Sequence, residues 1–313
     1  MSRERILVTG GCGYIGSILC EHLLDAGYAV TVLDSLIFGQ KPHFHLCADP
    51  NYDFVFGDVR DKELVSRLVS QADIIIPLAA LVGAPLCDQD PWLAKSVNFE
   101  AIKLINSLRS QDQFLVYPMT NSGYGTHSGE EFCTEETPLE PISLYGITKV
   151  DGEKEVLGKG NAVSLRLATV FGLSPRMRVD LLVNFFTYKA VKEKALVLFE
   201  KDFKRNFVHV RDVADCMIHC IRHRNEMKGL PYNVGLDSAN MSKEELALKI
   251  KEYVPDLYIH YAEIGTDPDK RNYIVSNQRL REAGFEARRS IDDGIKELIK
   301  GYRMLRRGEL TNI

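Results

Sequence analysis

Arg5-Ile6-Leu7-Val8-Thr9-Gly10-Gly11-Cys12-Gly13-Tyr14-Ile15-Gly16 opens the chain, and Ala29-Val30-Thr31-Val32-Leu33-Asp34 follows shortly after. Arg5 to Thr9 is an apolar run of strand type. From Tyr14 to Ala26 the apolar residues Ile15, Ile18, Leu19 and Leu23 recur at helical spacing, and Gly27 closes the helix. Ala29 to Leu33 reads as a second strand ending on an acid, Asp34. Strand, glycine turn, helix, strand and acid at this spacing make a dinucleotide-binding unit. Gly10 lets the chain turn sharply off the strand. Gly13 leaves room for a pyrophosphate against the backbone, and Gly16 allows close helix–sheet packing. The exposed N–H groups of this turn, with Tyr14 and Ile15 expected at the cofactor, face the phosphates together with the positive end of the helix. Asp34 accepts from both adenosine ribose hydroxyls and repels a 2′-phosphate, which selects NAD over NADP. A glycine cluster alone also serves as a plain turn; here four contextual elements agree with the dinucleotide reading.

The chain has 313 residues, 45% of them hydrophobic, and a net charge of −4 without long runs of one sign. A chain of this length buries about 75% of its unfolded surface, and it is long enough for a large domain plus a smaller one. Nothing in the charge pattern points to nucleic acid or to a membrane surface. No apolar run reaches the length of a membrane span. The N-terminus enters a strand directly, so no signal peptide is expected. Seven scattered cysteines suggest reduced thiols and a cytoplasmic setting. Cys216, His219, Cys220 and His223 share helical spacing, but a single helix supplying every ligand is unusual for zinc, and Met217, Ile218 and Ile221 mark an ordinary buried helix. No metal is expected.

Onward from Asp34, Ser35 to Asn51 is a loop or short helix. Asp53 to Phe56 is a third strand, leading to Asp58 and Val59 at the adenine; Asp61 caps the helix Lys62 to Ser70. Ala72 to Pro77 is a strand buried on both faces, and Leu78, Ala79 and Ala80 let the cofactor lie close to its end. Leu81 to Asp90 is expected as a loop, and 91–108 as a helix in which Asn98 is solvent-facing or a capping partner. The strand Phe114 to Pro118 runs into Met119-Thr120-Asn121-Ser122-Gly123-Tyr124-Gly125, where doubly wound sheets bind ligands. On the helix from Ser143 to Leu157, Tyr145 and Lys149 lie four residues apart and share a face. A phenol normally ionises near pH ~10; a nearby ammonium and a cationic nicotinamide favour the phenolate, which then takes a proton from a sugar hydroxyl. Ala162 to Leu167 is a sixth strand, after which the alternation of strand and helix stops. The fold class is therefore α/β, a Rossmann-type doubly wound parallel sheet with helices on both faces, plus a smaller mixed C-terminal substrate domain. Residues 1–173 form the NAD-binding domain, with 205–235 returning to it; 174–204 and 236–313 form the substrate domain.

The set Gly10-x-x-Gly13-x-x-Gly16, Asp34, Asp58-Val59, Leu78-Ala79-Ala80, Thr120, Tyr145-x-x-x-Lys149, Arg166-x-x-x-Val170-Phe171-Gly172 and Arg205-x-Phe207-Val208-His209 resembles the extended short-chain dehydrogenase/reductases, specifically the NAD-dependent sugar-nucleotide epimerase/dehydratase family. The resemblance implies that Thr120 binds the reacting sugar hydroxyl and that Tyr145 is the base. Lys149 would hold the nicotinamide ribose. Asn184, Arg205 and Arg271 would grip the nucleotide and diphosphate, with Asn121, Ser122 and Arg176 also at the substrate, and a homodimer is expected through the helices at 91–108 and 143–157. Family 4,6-dehydratases carry an Asp-Glu pair after the Thr; here Asn121-Ser122 stands there, which argues against dehydration. The segments 74–87, 120–125 and 174–184 are most similar to bacterial GDP-heptose 4-dehydrogenases of capsule biosynthesis. Those enzymes oxidise C4, retain NADH and use a 2-oxo acid such as 2-oxoglutarate as reoxidant. A nucleotide-sugar 4-epimerase needs the same groups and stays open as an alternative. A non-catalytic NAD-binding sensor would not need Thr120, Tyr145 and Lys149 together.

Overall fold

The computed structural model describes residues 3–126, 131–262 and 272–305. Its centre is a seven-stranded, all-parallel sheet: β1 (Arg5–Thr9), β2 (Ala29–Asp34), β3 (Tyr52–Phe56), β4 (Ile74–Pro77), β5 (Phe114–Thr120), β6 (Ala162–Leu167) and β7 (Pro231–Val234), in spatial order β7-β6-β5-β4-β1-β2-β3. The period-2 alternation of strands explains why these runs are apolar throughout. Ile6, Val8, Ile74, Ile76 and Val116 face one core, with Ile18 and Leu23 of helix α1 (Gly16–Asp25) and Val213 and Met217 of the helix Val210–Arg222. Leu7, Ile75, Leu115 and Tyr117 face the other, with Val65 of Lys62–Val69, Ile105 of Ala101–Leu108 and Val150 of Leu144–Lys159. Side-chain caps start several helices: Asp61 accepts from the amides of Glu63 and Leu64, Asp90 from Leu93, and Ser143 from Gly146, and other helices, such as Lys243–Tyr253 at Ser242, are capped in the same way.

Four details differ from the sequence reading. The stretch expected as a loop before Asp90 contains a short helix, Ala84–Gln89, with Pro85 in its first turn. The helix over 91–108 is interrupted by a π-turn, Ser96–Glu100, that rotates its two parts relative to a regular helix. The strand Lys204–His209 does not enter the main sheet. It pairs in parallel with Thr169–Phe171 and antiparallel with Asn240–Ser242 in a separate three-stranded sheet, so only the helix Val210–Arg222 and β7 return to the seven-stranded layer. The acidic, proline-containing stretch 130–142, which reads as a loop, holds a short strand, Phe132–Cys133, paired with Ile274–Val275.

The two halves are tied at one buried knot. The Tyr14 hydroxyl donates to the Gly172 carbonyl at 2.7 Å, the Gly172 amide donates to Asn184 Oδ1 at 3.0 Å, and Asn184 Nδ2 donates to the Tyr14 oxygen at 3.2 Å. Tyr14→Phe leaves the Gly172 carbonyl and one Asn184 hydrogen without a partner in a dry site. Urea unfolding of this variant is expected to show a loss of about 1–3 kcal/mol with an unchanged slope; wild-type stability would show that the knot is not cohesive.

Candidate active site

The strand order reverses between β1 and β4, and the glycine turn sits on the carboxyl edge there. Gly10 has φ +70°, and a Cβ on it would lie 2.5 Å from the Ala79 amide nitrogen, so this turn accepts only glycine. A Cβ on Gly16 would strike the Gly11 carbonyl at 2.3 Å. The tight contact is therefore with the turn itself and not with the sheet. A Cβ on Gly13 would meet only the Gly10 carbonyl, at 3.1 Å, which leaves space on the side a pyrophosphate needs. Asp34 ends β2 with Oδ2 accepting from the Cys12 amide (2.9 Å) and Oδ1 from the Leu36 amide (2.8 Å). Burial raises its pKa, and these amides with the nearby Arg176 oppose the rise. An acid held by the turn that faces the phosphates fits a dinucleotide with a free ribose diol.

Other residues expected at the cofactor are distributed as follows. The Tyr14 ring is buried and its hydroxyl belongs to the interdomain knot, so this residue offers the cleft its backbone. Ile15 stands at the start of α1. Asp58 turns its carboxylate to the Arg60 guanidinium at 2.6 Å, which lowers its pKa, and Val59 is buried with Leu33 and Val65. Leu78, Ala79 and Ala80 follow β4 beside Gly10, with the Leu78 amide donating to the Thr9 carbonyl.

Thr120 is the last residue of β5. Its hydroxyl donates to Ser122 Oγ at 3.0 Å and accepts from the Ser122 amide at 3.1 Å. Asn121 is 1% exposed, and both its amide atoms lack a hydrogen-bond partner among the described residues. The helix Leu144–Lys159 begins against this turn: a Cβ on Gly146 would lie 3.3 Å from the Ser122 carbonyl. Tyr145, one residue earlier, is half-buried and packs with Leu81, Cys87 and Ala94. Lys149, one turn on, is buried with its Nζ 4.3 Å from the centroid of the Tyr117 ring, and the Tyr117 hydroxyl donates to the Lys149 carbonyl at 3.1 Å. Desolvation pushes the Lys149 pKa down to about 7, against the carboxylate of Glu153 one turn further. Glu153 is paired with Arg166 at 2.7 Å and accepts from Ser164 at 2.6 Å.

Asn98 is the residue that sequence reasoning missed. It lies in the π-turn and is 1% exposed, not solvent-facing. Its Oδ1 accepts from the Leu81 amide at 2.8 Å. Its Nδ2 donates to the Leu81 carbonyl at 2.9 Å and reaches Thr148 Oγ1 at 3.5 Å. It fixes the loop after β4 against the helix of Tyr145 and Lys149. The only hint in the sequence is an amide among the apolar residues of a helix.

The residues expected at the substrate are more dispersed. Asn184 is fully buried, with its side chain committed to the Gly172 amide, the Tyr14 hydroxyl and the Arg178 carbonyl. Arg205, on Lys204–His209, is buried with its guanidinium 5.7 Å from the Tyr273 ring. Arg176 is buried beside Phe38. Arg271 lies outside the described residues. The cysteines and histidines at 216–223 do not converge: Cys216 and Cys220 are in the core, and His219 Nε2 is 2.8 Å from the Ala283 carbonyl.

This fold and site define an NAD-binding enzyme of the short-chain dehydrogenase type. A model of the NAD dependent epimerase/dehydratase family matches residues 6–235, and the chain belongs to that family. The low-salt glycan biosynthesis protein Agl12 of Haloferax volcanii is 29% identical over 309 residues, covering 95% of this chain and 98% of that protein. A protein described as an uncharacterized UDP-glucose epimerase, YtcB of Bacillus subtilis, is 28% identical and covers 97% of this chain and 100% of its own. Among solved structures, Thermus thermophilus UDP-glucose 4-epimerase with NAD superposes with TM-score 0.81 at 25% identity, covering 96% of this chain and 99% of that one. Bacillus anthracis dTDP-glucose 4,6-dehydratase with NAD has TM-score 0.83 at 23% identity, covering 96% of each chain.

The depressed Lys149 pKa carries a sign. Between about 7 and the ordinary lysine value of 10.5, the unfolded chain holds a proton that the folded, NAD-free protein has released. Lys149 therefore makes stability rise with pH through that window. The urea midpoint of wild type minus that of Lys149→Met should increase from about pH 7 to about pH 9; a flat difference would mean that the ammonium is solvated.

Proposed function

We propose that this protein oxidises C4 of a nucleoside-diphosphate sugar, as a GDP-D-glycero-α-D-manno-heptose 4-dehydrogenase that forms the 4-keto sugar for capsule polysaccharide. The observation that carries this reading is the turn after β5, where Thr120 is followed by Asn121 and Ser122 instead of an acid–base pair. An amide and an unactivated hydroxyl do not expel water across C5 and C6, so the ketone is not carried on to dehydration. The resemblance of segments 74–87, 120–125 and 174–184 to GDP-heptose 4-dehydrogenases supports the choice of sugar and base.

Bound NAD supplies the hydride acceptor. Thr120 orients O4 of the sugar, and Tyr145 takes its proton as the C4–H bond is lost to the acceptor, turning the carbinol into a carbonyl. Lys149 holds the positive charge that favours the phenolate and the contact with the nicotinamide ribose. The desolvated site strengthens each of these interactions. The balance is alcohol plus NAD to ketone, NADH and a proton, and a 2-oxo acid, itself reduced to the hydroxy acid, restores the oxidised form. On this reading Asn121, Ser122, Arg205 and Arg271 serve the sugar nucleotide, whereas the Asn184 side chain is committed to the joint between the halves. The exposed Trp92 and Ile147 on the two long helices support a homodimer through that face.

A 4-epimerase is the second reading, favoured by the names of several relatives, such as the UDP-glucose 4-epimerase of Mycolicibacterium smegmatis. Incubation with GDP-heptose and 2-oxoglutarate separates the two. A ketone two mass units lighter, with reduced 2-oxo acid, is the expected product. An inverted alcohol with no net redox would establish the epimerase. Tyr145→Phe should lower turnover by on the order of 10²–10⁴-fold while leaving NAD bound; undiminished turnover would remove Tyr145 from the mechanism.

A further inference from the structure

The chain leaving the strand Thr169–Phe171 crosses the glycine turn. Ser174 Oγ donates to the Tyr14 carbonyl at 2.7 Å and lies 2.6 Å from Ser17 Oγ. Two residues on, Arg176 is 4% exposed, yet its Nε has no hydrogen-bond partner among the described residues. Its guanidinium carbon lies 4.0 Å from the centroid of Phe38, four residues beyond Asp34 on the loop leaving β2. Phe38 is 41% exposed, and beside it Ile37 is 66% exposed. Arg176 is also near enough to Asp34 for each to shift the other's pKa. A buried cation with an unused donor is therefore held between the adenosine-side loop and the turn that cradles phosphates.

We propose that Arg176 binds the diphosphate of the dinucleotide, and that with Phe38 it forms a clasp across the cofactor that slows release of NADH. The earlier expectation placed Arg176 at the sugar nucleotide; Arg178 and Asp180 of its own segment act on it, but the residues it meets outside that segment are Phe38 and Asp34, on the adenosine wall. A guanidinium stacked on a ring keeps its edge donors free in the plane, the orientation a diphosphate oxygen pair requires. Asp180 and Asp34 offset part of the cost of burying this arginine, and an anion in contact with its unused Nε donor offsets more. The stack joins a segment of the carboxyl half to a loop of the amino half, so the dinucleotide leaves only after the stack opens. The role is independent of which sugar nucleotide is bound.

NADH release from the purified holoprotein, followed by loss of bound-NADH fluorescence on dilution with excess unlabelled NAD, tests this. Arg176→Ala is expected to speed release on the order of 10- to 100-fold. Arg176→Lys and Phe38→Ala should speed it several-fold, since each keeps only part of the stack. Calorimetric affinities for GDP and UDP should stay within about two-fold of wild type, which separates the two diphosphate sources. Release at the wild-type rate in Arg176→Ala overturns the proposal. So does weakened GDP and UDP binding with NADH release unchanged, which assigns the arginine to the sugar nucleotide. If Arg176→Ala does not fold, the Lys and Phe38 variants decide the matter by the same readouts.

Discussion

The Lys149 ammonium is buried beneath the sheet edge, and much of the architecture answers to that one desolvated charge. Burial drives such a cation to shed its proton and brings the Lys149 pKa down to about 7; the contacts around it oppose that fall only in part. Here the face of the Tyr117 ring lies against it, and Glu153 supplies an opposing charge one helical turn away. Glu153 could not itself be buried without Arg166 and Ser164 on β6. Arg166 in turn donates to Tyr124 at 3.1 Å, just past the Thr120 turn, and Tyr124 donates to Asn233 on β7 at 2.7 Å. The chain of partners thus runs from the helix of Tyr145 and Lys149, through two strands, back to the turn carrying Thr120. Neutralisation of the buried charges ties the helix of Tyr145 and Lys149 to the segment just past Thr120. Removing one member leaves another charge or dipole unpaired, which binds catalytic geometry to stability.

The second constraint is the joint between the halves. Tyr14 and Ser17 on the glycine turn bond Gly172 and Ser174 on the segment that enters the carboxyl half. Tyr302, on the helix Ile291–Met304, donates to the Asn184 carbonyl at 3.0 Å and extends the joint to the far side of that half. Relative motion of the halves would therefore act directly on the glycine turn.

The amino half was legible in the sequence because each of its signals is local. Gly10, Gly13, Gly16 and Asp34 belong to one strand–turn–helix–strand unit, and Tyr145 and Lys149 to one helix face, so spacing alone brings them together. Asn98 was not legible. Its role depends on burial and on a π-turn, and neither leaves a period in the sequence. Asn184 and Tyr14 are 170 residues apart and meet only when the halves close, so spacing cannot show that each uses the other's hydrogen-bonding capacity. Lys204–His209 reads as a strand from its composition, but which sheet it joins is set by the partners Thr169–Phe171 and Asn240–Ser242. Gly16 was read as a helix–sheet spacer, whereas its neighbour is the Gly11 carbonyl: the glycine was legible and the contact was not.

On the proposed reading, the joint also bears on why the reaction would need a returning oxidant. A turn fastened by Tyr14, Ser17 and, on the proposed reading, the Arg176–Phe38 clasp does not exchange its dinucleotide at each cycle. Such an enzyme regenerates the oxidised form in place. An epimerase does so by returning the hydride to the ketone it has just made, and it needs a ketone free to rotate before that return. A dehydrogenase must release the ketone and admit a second carbonyl compound to the same face. The residues after Thr120 bear on that choice. With Asn121 and Ser122 in place of ionisable groups, no side chain there diverts the ketone into elimination. The fate of the ketone then depends on how long the carboxyl half holds the nucleotide end of the sugar. On the proposed reading, Tyr145, protonated by the oxidation, would be the acid that a returning carbonyl needs, so that one proton would serve both half-reactions.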